Sequence, residues 1–166
     1  MVPEKGFTLI ELLVTAAILA AIAAVGGINL FGYYIRQNLK LTVEEVTALI
    51  RDAQNRTLVA QDGNADDQGD QWGVHFENKT SAPDLVELFC CGQSYALGTV
   101  VSAYNLRIGV ELNDPIEGNS KDIVLSKLTG YPNAPASIEI ALKNNPANSF
   151  VITISEIGQV LRSPLE

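Results

Sequence analysis

The chain of 166 residues opens with an apolar segment that is long enough to cross a lipid bilayer. From Phe7 to Ile35, the only ionisable side chains are Glu11, Tyr33 and Tyr34. A helix of about 20 apolar residues spans the roughly 30 Å of hydrocarbon in a bilayer, and this segment is longer than that. We therefore predict that residues 7–35 form a helix that is inserted in membrane lipid at some stage.

One carboxylate, Glu11, lies near the start of this segment. A carboxylate at the centre of a membrane helix costs about 2.5–3.5 kcal/mol, and such a group usually has a partner. Lys5 lies on the wrong side of the helix, and the next basic residue is Arg36. We expect the partner of Glu11 to come from another chain or from a newly formed amino terminus.

A secretory signal peptide does not account for the segment. Signal peptides have an apolar region of about 7–15 residues, followed by a cleavage site. Here the apolar region is longer, and the plausible cleavage point precedes it.

Residues 5–11 read K-G-F-T-L-I-E, which resembles the class III signal of type IV pilins and type II secretion pseudopilins. The resemblance implies that a membrane prepilin peptidase removes residues 1–6 by cutting between Gly6 and Phe7, and then methylates Phe7. It also implies that Glu11 neutralises the Phe7 ammonium of a neighbouring subunit, so that two charges costly in lipid become one pair. The alternative is a single-pass anchor with a tolerated acid near the membrane interface.

The apolar pattern changes after Ile35 but remains helical. Apolar residues recur at three- and four-residue spacing, which predicts an amphipathic helix over residues 36–62 that packs on a soluble domain; they include Leu39, Val43, Val46, Ile50 and Ala53. Gly63 can end this helix. Gly26 and Gly27 each weaken the first half by about 1 kcal/mol relative to alanine, so any local melting in a filament is expected there.

Residues 63–166 predict a β-rich head, because their apolar side chains alternate with a period of two. The predicted strands lie at Trp72–Phe76, Leu85–Cys91, Leu106–Leu112, Ile123–Leu128, Ile138–Leu142 and Phe150–Ile154. The second of these is expected to be central, and the last to continue through Gly158 into a hairpin with Val160. Breakers separate the strands, for example at Asn144–Pro146. The fold class is therefore α+β, with a long N-terminal helix on an antiparallel sheet.

Within the pilin superfamily, the head resembles the H-type minor pseudopilins. The matching segments are A-L-I-R-D-A-Q-N at 48–55, W-G-V-H-F at 72–76 and I-T-I-S-E-I-G-Q-V at 152–160. The resemblance implies a minor structural subunit of a type IV pilus or type II secretion pseudopilus. It also implies residence in the inner membrane, with the head on the extracytoplasmic side, before polymerisation. The implied partners are other pilin-like subunits, the prepilin peptidase and an inner-membrane assembly platform.

The charge of the chain argues against nucleic acid as a partner. The formal net charge is −8 and the isoelectric point is near 4.6, so the chain as a whole lacks a field that attracts phosphates. A pilin-type DNA-uptake receptor is an alternative that would require a local basic surface. After Val101 the acidic residues outnumber the basic ones, which makes that alternative less favourable.

Little in the sequence indicates an enzyme. His75 is the only histidine, and its strand phase points it away from Trp72 and Phe76, so we expect it at a solvated rim. A membrane-tethered domain with some other activity is the alternative reading.

An acidic stretch follows the predicted helix and contains Asp62, Asn64 and Asp66 at alternate positions. Hard oxygen ligands at this spacing can hold calcium. The EF-hand pattern nevertheless fails, because Asp67 and Gly73 occupy its glycine and glutamate positions. A solvated loop without a cofactor is the expectation, with calcium binding as the alternative.

The two cysteines, Cys90 and Cys91, are adjacent in a predicted strand. Neighbouring side chains in a strand point to opposite faces, so buried free thiols are the expectation. A vicinal disulfide and pairing between subunits remain the alternatives.

Overall fold

The computed structural model describes residues 6–65 and 69–165. The chain divides into two compact units, one ending at Tyr34 and the other beginning at Ile35. Within the described residues, no helical segment combines the length and the apolarity of a membrane span.

A single helix, α1, runs over Leu9–Leu58. In its second half, the predicted apolar positions Leu39, Val43, Val46, Ile50 and Ala53 are all buried, which confirms the amphipathic pattern. The backbone is also helical at Gly26 and Gly27. Melting at these two glycines concerns a filament and stays a prediction.

The helix ends earlier than expected, and Gly63 does not end it. Ala60 has the left-handed backbone, with φ of 49°. The N–H of Ala60 donates to Thr57 O at 3.2 Å, and the N–H of Gln61 donates to Arg56 O at 2.9 Å. This is the hydrogen-bond pattern of a Schellman cap, in which alanine takes the position that glycine usually fills.

The head contains two antiparallel sheets of four strands each. The first sheet has the order β3–β2–β1–β5, where β1 is Trp72–Glu77, β2 is Leu85–Cys90, β3 is Thr99–Asn105 and β5 is Ser120–Val124. The second sheet has the order β4–β6–β7–β8, where β4 is Val110–Asp114, β6 is Ala136–Leu142, β7 is Asn145–Ile154 and β8 is Val160–Leu165. A short 3₁₀ helix, Tyr95–Leu97, lies between β2 and β3.

One face of each sheet contributes to a core shared with α1. Alternate residues of β1 and β2 are buried there with Ile138 and Ile140 of β6 and Ile152 of β7. The α+β architecture is therefore confirmed, as are the interior position of β2 and the β7–β8 hairpin. A turn at residues 143–144 separates β6 from β7, so the predicted break at 144–146 is confirmed at Asn144, whereas β7 already begins at Asn145.

Two predicted strands are shorter than expected. In the segment 106–112 only residues from Val110 onward are in a strand, because Ile108 is 81% exposed and Gly109 has φ of 84°. In the segment 123–128, β5 ends at Val124, and Leu128 is 75% exposed with φ of 68°. Apolar residues can thus continue beyond the end of a strand into the neighbouring loop.

Buried polar side chains join the two sheets. Asn78 Nδ2 donates to Leu112 O at 2.7 Å and to Pro115 O at 2.8 Å. The Asp84 carboxylate accepts the N–H of Leu112 at 2.6 Å and that of Lys79 at 2.9 Å. Because buried donors and acceptors without partners are costly, these bonds fix β4 against the β1–β2 connection.

Candidate functional site

The predicted processing site lies ahead of the helix. Gly6 and Phe7 are outside any regular element, and the Phe7 side chain is 87% exposed. An added Cβ at Gly6 would meet no atom within 4 Å. The Gly6–Phe7 peptide bond is therefore sterically open to another molecule.

Glu11 forms a capping box with Thr8. The N–H and the Oγ1–H of Thr8 both donate to Glu11 Oε2 at 2.9 Å, and the N–H of Glu11 donates back to Thr8 Oγ1 at 3.3 Å. This reciprocal arrangement satisfies donors at a helix N-terminus, where the helix dipole also favours a carboxylate. Thr8 thus gives Glu11 a hydrogen-bond partner on its own chain but no positive charge, and a cationic partner from another chain or a new amino terminus stays a prediction.

The capping box could have been found in the sequence. Thr8 and Glu11 have the T-x-x-E spacing that marks a helix start directly before an apolar run. Reading Glu11 only as a charge in lipid missed this local role. Both bonds from Thr8 reach Oε2, so neither of them involves Oε1.

The first half of α1 exposes a large apolar surface. Every side chain described from residue 6 to residue 24 is exposed, including Ile10, Leu13, Ile18 and Ile22. A surface of this extent on a soluble protein marks contact with a membrane or another protein. The segment thus combines an exposed apolar surface with one ordered carboxylate.

A second charged cluster lies on the head half of α1. Arg107 Nε and Nη2 both donate to the Glu45 carboxylate, and the Tyr104 hydroxyl donates to the same carboxylate. The bond from Arg107 lowers the pKa of Glu45, while burial and the bond to Glu45 raise the pKa of Tyr104. This cluster attaches the helix to β3 and the segment after it.

His75 is not at a solvated rim, so that expectation was wrong. Its side chain is buried, stacks on Tyr95 with ring centroids 3.7 Å apart, and lies 2.6 Å from Asp122 through Nδ1. The Tyr95 hydroxyl donates to Glu87, and this bond together with burial raises the pKa of Tyr95 to about 12. Tyr95 of the 3₁₀ helix thus covers His75 on the face of the first sheet that points away from the shared core. The alternation of residues along β1 could not predict this cover, because Tyr95 comes from another part of the chain.

The predicted calcium ligands are only partly within the described residues. Asp62 Oδ1 accepts the N–H groups of Asn64 at 2.9 Å and Ala65 at 2.7 Å, as in an Asx turn. Asp66 lies outside the described residues. Calcium binding by these residues stays a prediction.

Cys90 and Cys91 form a vicinal disulfide, so the expectation of free thiols was wrong. Cys91 has a left-handed backbone with φ of 71°, whereas the expectation assumed an extended strand through both residues. A carboxylate oxygen of Asp70 lies 3.2 Å from Cys91 Sγ.

Comparisons with known proteins agree with the N-terminal motif and the fold. Residues 1–27 match the family model described as the prokaryotic N-terminal methylation motif. No curated protein sequence matches the chain.

Two solved structures, both of the type IV minor pilin FimU of Pseudomonas aeruginosa PAO1, are similar in fold. In one crystal form, the FimU chain has 12% sequence identity to this chain and a TM-score of 0.55, and the match covers 78% of this chain and 90% of that chain. In the other crystal form, the sequence identity is 10% and the TM-score is 0.52, and the match covers 76% of this chain and 93% of that chain. At these identities the likeness shows the fold alone.

The chain thus combines an N-terminal methylation motif with a pilin-like fold, in which a long helix packs on antiparallel sheets. Because the family model covers only residues 1–27 and the structural matches show the fold alone, membership of the type IV pilin and pseudopilin superfamily stays a prediction. The particular resemblance to H-type pseudopilins stays a prediction.

Proposed function

We propose that the protein is a minor structural subunit of a type IV pilus or type II secretion pseudopilus, cut between Gly6 and Phe7 and assembled through its N-terminal helix. The capping box carries this proposal, because it holds Glu11 in one orientation at the start of an exposed apolar helix. An ordered carboxylate in that position suits recognition of a cation at the end of a second apolar helix.

Processing by the prepilin peptidase is the first proposed step. The exposed Gly6–Phe7 bond precedes the helix, so it can enter another active site without unwinding α1. Thr8 and Glu11 both lie after the cut, and their capping box survives it. Cleavage changes the charge near Glu11 by creating an ammonium group on Phe7.

Pairing between subunits is the second proposed step. Because the bonds from Thr8 reach Oε2, Glu11 can use Oε1 to accept a hydrogen bond from the Phe7 ammonium of a neighbouring subunit. A charge-assisted bond of this kind is roughly twice as strong as a neutral one, and more so where water is excluded. A docked subunit therefore gains the pair, while a misaligned subunit keeps an uncompensated charge.

The membrane stage is proposed from the apolar segment. Before assembly, the helix of residues 7–35 is held in the inner membrane, and the head lies on the extracytoplasmic side. During assembly, at a membrane platform, lipid around the exposed apolar side chains is replaced by the helices of other subunits. A role in assembly rather than catalysis is supported by His75, whose ring is stacked and hydrogen-bonded inside the head.

Incorporation of Glu11→Gln into filaments tests the proposal. The variant should be processed normally but recovered in the sheared filament fraction at a much lower level than wild type. Glu44→Gln is the matched control, because Glu44 is an exposed carboxylate on the same helix. Wild-type incorporation of Glu11→Gln would exclude charge pairing as the step that selects the docked subunit.

A further inference from the structure

The vicinal cysteines and Asp70 form a cluster of metal-ligating groups in the head. One ligand atom from each of the three residues lies within 4.8 Å of the others. Cys90 and Asp70 are buried, while Cys91 is partly exposed. We propose that reduction of the Cys90–Cys91 disulfide opens a binding site for a thiophilic divalent metal ion such as Zn²⁺, with Asp70 as the third ligand.

The chain positions the Asp70 carboxylate without help from a cation. The N–H of Gly63 donates to Asp70 Oδ2 at 2.8 Å, and the N–H of Asp70 donates to Gln61 O at 3.1 Å. A side chain at Gly63 would collide with Cys90 Sγ, so glycine is required for this close approach. These contacts hold a carboxylate that is only 7% exposed against the sulfur atoms.

The oxidised cysteines do not use the Asp70 oxygen as a hydrogen-bond acceptor. Asp70 Oδ2 lies 3.2 Å from Cys91 Sγ, but a disulfide sulfur carries no proton to donate. In the reduced chain, the Cys91 thiol can donate to Asp70, or a metal ion can take the place of that proton. The contact therefore suits the reduced state better than the oxidised one.

The redox step needs an external two-electron reductant, such as two thiols, one dithiol, or a phosphine with water. The reductant and its water supply two electrons and two protons, the Cys90–Cys91 bond breaks, and two S–H groups form. Thiols end as a disulfide, and a phosphine ends as its oxide. Metal binding then releases both thiol protons and forms two metal–sulfur bonds and one metal–oxygen bond. The oxidised protein cannot supply these ligands, so its redox state controls binding.

The geometry and ligand types favour a tetrahedral zinc-type site. Zn–S bonds of about 2.3 Å and Zn–O bonds of about 2.0–2.2 Å place the ligand atoms of a tetrahedron about 3.6–3.8 Å apart. Reduction lets the sulfurs separate toward this spacing, and the Asp70 oxygen is already close to it. Water can fill the fourth position from the exposed side of Cys91. Calcium and magnesium prefer oxygen ligands and are not expected here.

Cadmium titration of the full chain in detergent micelles tests the proposal, because cadmium–thiolate bonds absorb in the ultraviolet. Protein reduced with a phosphine, which does not itself bind through sulfur, should bind one Cd²⁺ per chain with the absorbance of two thiolates. Zn²⁺ should displace it, and excess Ca²⁺ should not. The oxidised chain should show no such band.

Asp70→Asn tests the third ligand, with Asp52→Asn as the control, because the Asp52 carboxylate pairs with Arg56 and is not part of the cluster. Since loss of even a supporting partner of a metal ligand reduces affinity about 10–100-fold, Asp70→Asn should bind at least about tenfold more weakly. On cadmium binding, Cys91→Ser should show the absorbance of one thiolate only. If Asp70→Asn does not fold, this result with Cys91→Ser tests the proposal in its place. Wild-type affinity in a folded Asp70→Asn variant, or no stoichiometric binding by the reduced chain, would overturn the proposal.

Discussion

Thr8 and Glu11 bond to each other in both directions, with two bonds of 2.9 Å into Glu11 Oε2 and one of 3.3 Å back to Thr8 Oγ1. This arrangement gives one carboxylate two roles. It caps the helix within its own chain, and in our proposal it also pairs with the amino terminus of another. The orientation of Glu11 is therefore expected to matter as well as its charge.

Replacing Thr8 separates orientation from charge. Thr8→Ala removes the hydroxyl from the capping box, which costs about 0.5–2 kcal/mol of helix stability, and leaves Glu11 charged but held only by the backbone N–H of residue 8. We expect lower incorporation into filaments than wild type, measured by immunoblot of the sheared fraction against the membrane pool. Thr8→Ser keeps the hydroxyl and should restore incorporation. Equal incorporation of Thr8→Ala and wild type would mean that only the charge of Glu11 matters.

The cluster of Glu45 and Arg107 predicts a loss of head stability in acid. Arg107 lowers the pKa of Glu45 below its ordinary value of 4.5, so the pair stabilises the folded state above that pH. This contribution is lost as the pH falls below about 4.5 and through the folded pKa. Both side chains are 38% exposed, so salt should weaken the effect.

Thermal unfolding followed by circular dichroism from pH 7 to pH 3 checks this prediction. Glu45→Gln should lower the Tm at pH 7 and reduce its fall in acid. Arg107→Met should have a similar effect, and the double variant should be little worse than either single one. Additive losses would show that Glu45 and Arg107 act independently.

Much of the head was predictable where one face of an element is buried. The amphipathic half of α1, together with β1, β2, β6 and the β7–β8 hairpin, follows directly from apolar spacing. Strand β3 was missed because it is an edge strand with mostly exposed side chains, so its sequence shows no alternation.

The remaining errors come from interactions that are not local in sequence, or from unusual backbone angles. The burial of His75 depends on Tyr95, which lies beyond the next strand. The disulfide accompanies a left-handed Cys91, and the cap that follows Leu58 contains a left-handed Ala60, whereas residues other than glycine seldom adopt this conformation. The capping box, in contrast, was present in the sequence and was overlooked.

Asn78 is expected to be the most sensitive polar residue between the two sheets. Asn78→Ala leaves the buried carbonyl groups of Leu112 and Pro115 without this donor, and should lower the free energy of unfolding by about 1–3 kcal/mol. Asn119→Ala is the control, because Asn119 is exposed and its side chain donates to Glu117 O, two residues away, at 3.3 Å. Denaturant unfolding compares the two. Equal stability of the two variants would show that the Asn78 side chain does not stabilise the contact between the two sheets.

The most direct test of the account is the mass of the mature chain. Protein purified from its native membrane should give an intact mass that lacks residues 1–6 and an N-terminal peptide that begins with methylated Phe7. Gly6→Ala should accumulate as the uncut precursor, whereas Gly32→Ala, where an added Cβ also meets no atom within 4 Å, should mature normally. An intact, unmethylated leader on the wild-type chain, in cells with an active prepilin peptidase, would contradict assembly as a processed pilin-like subunit.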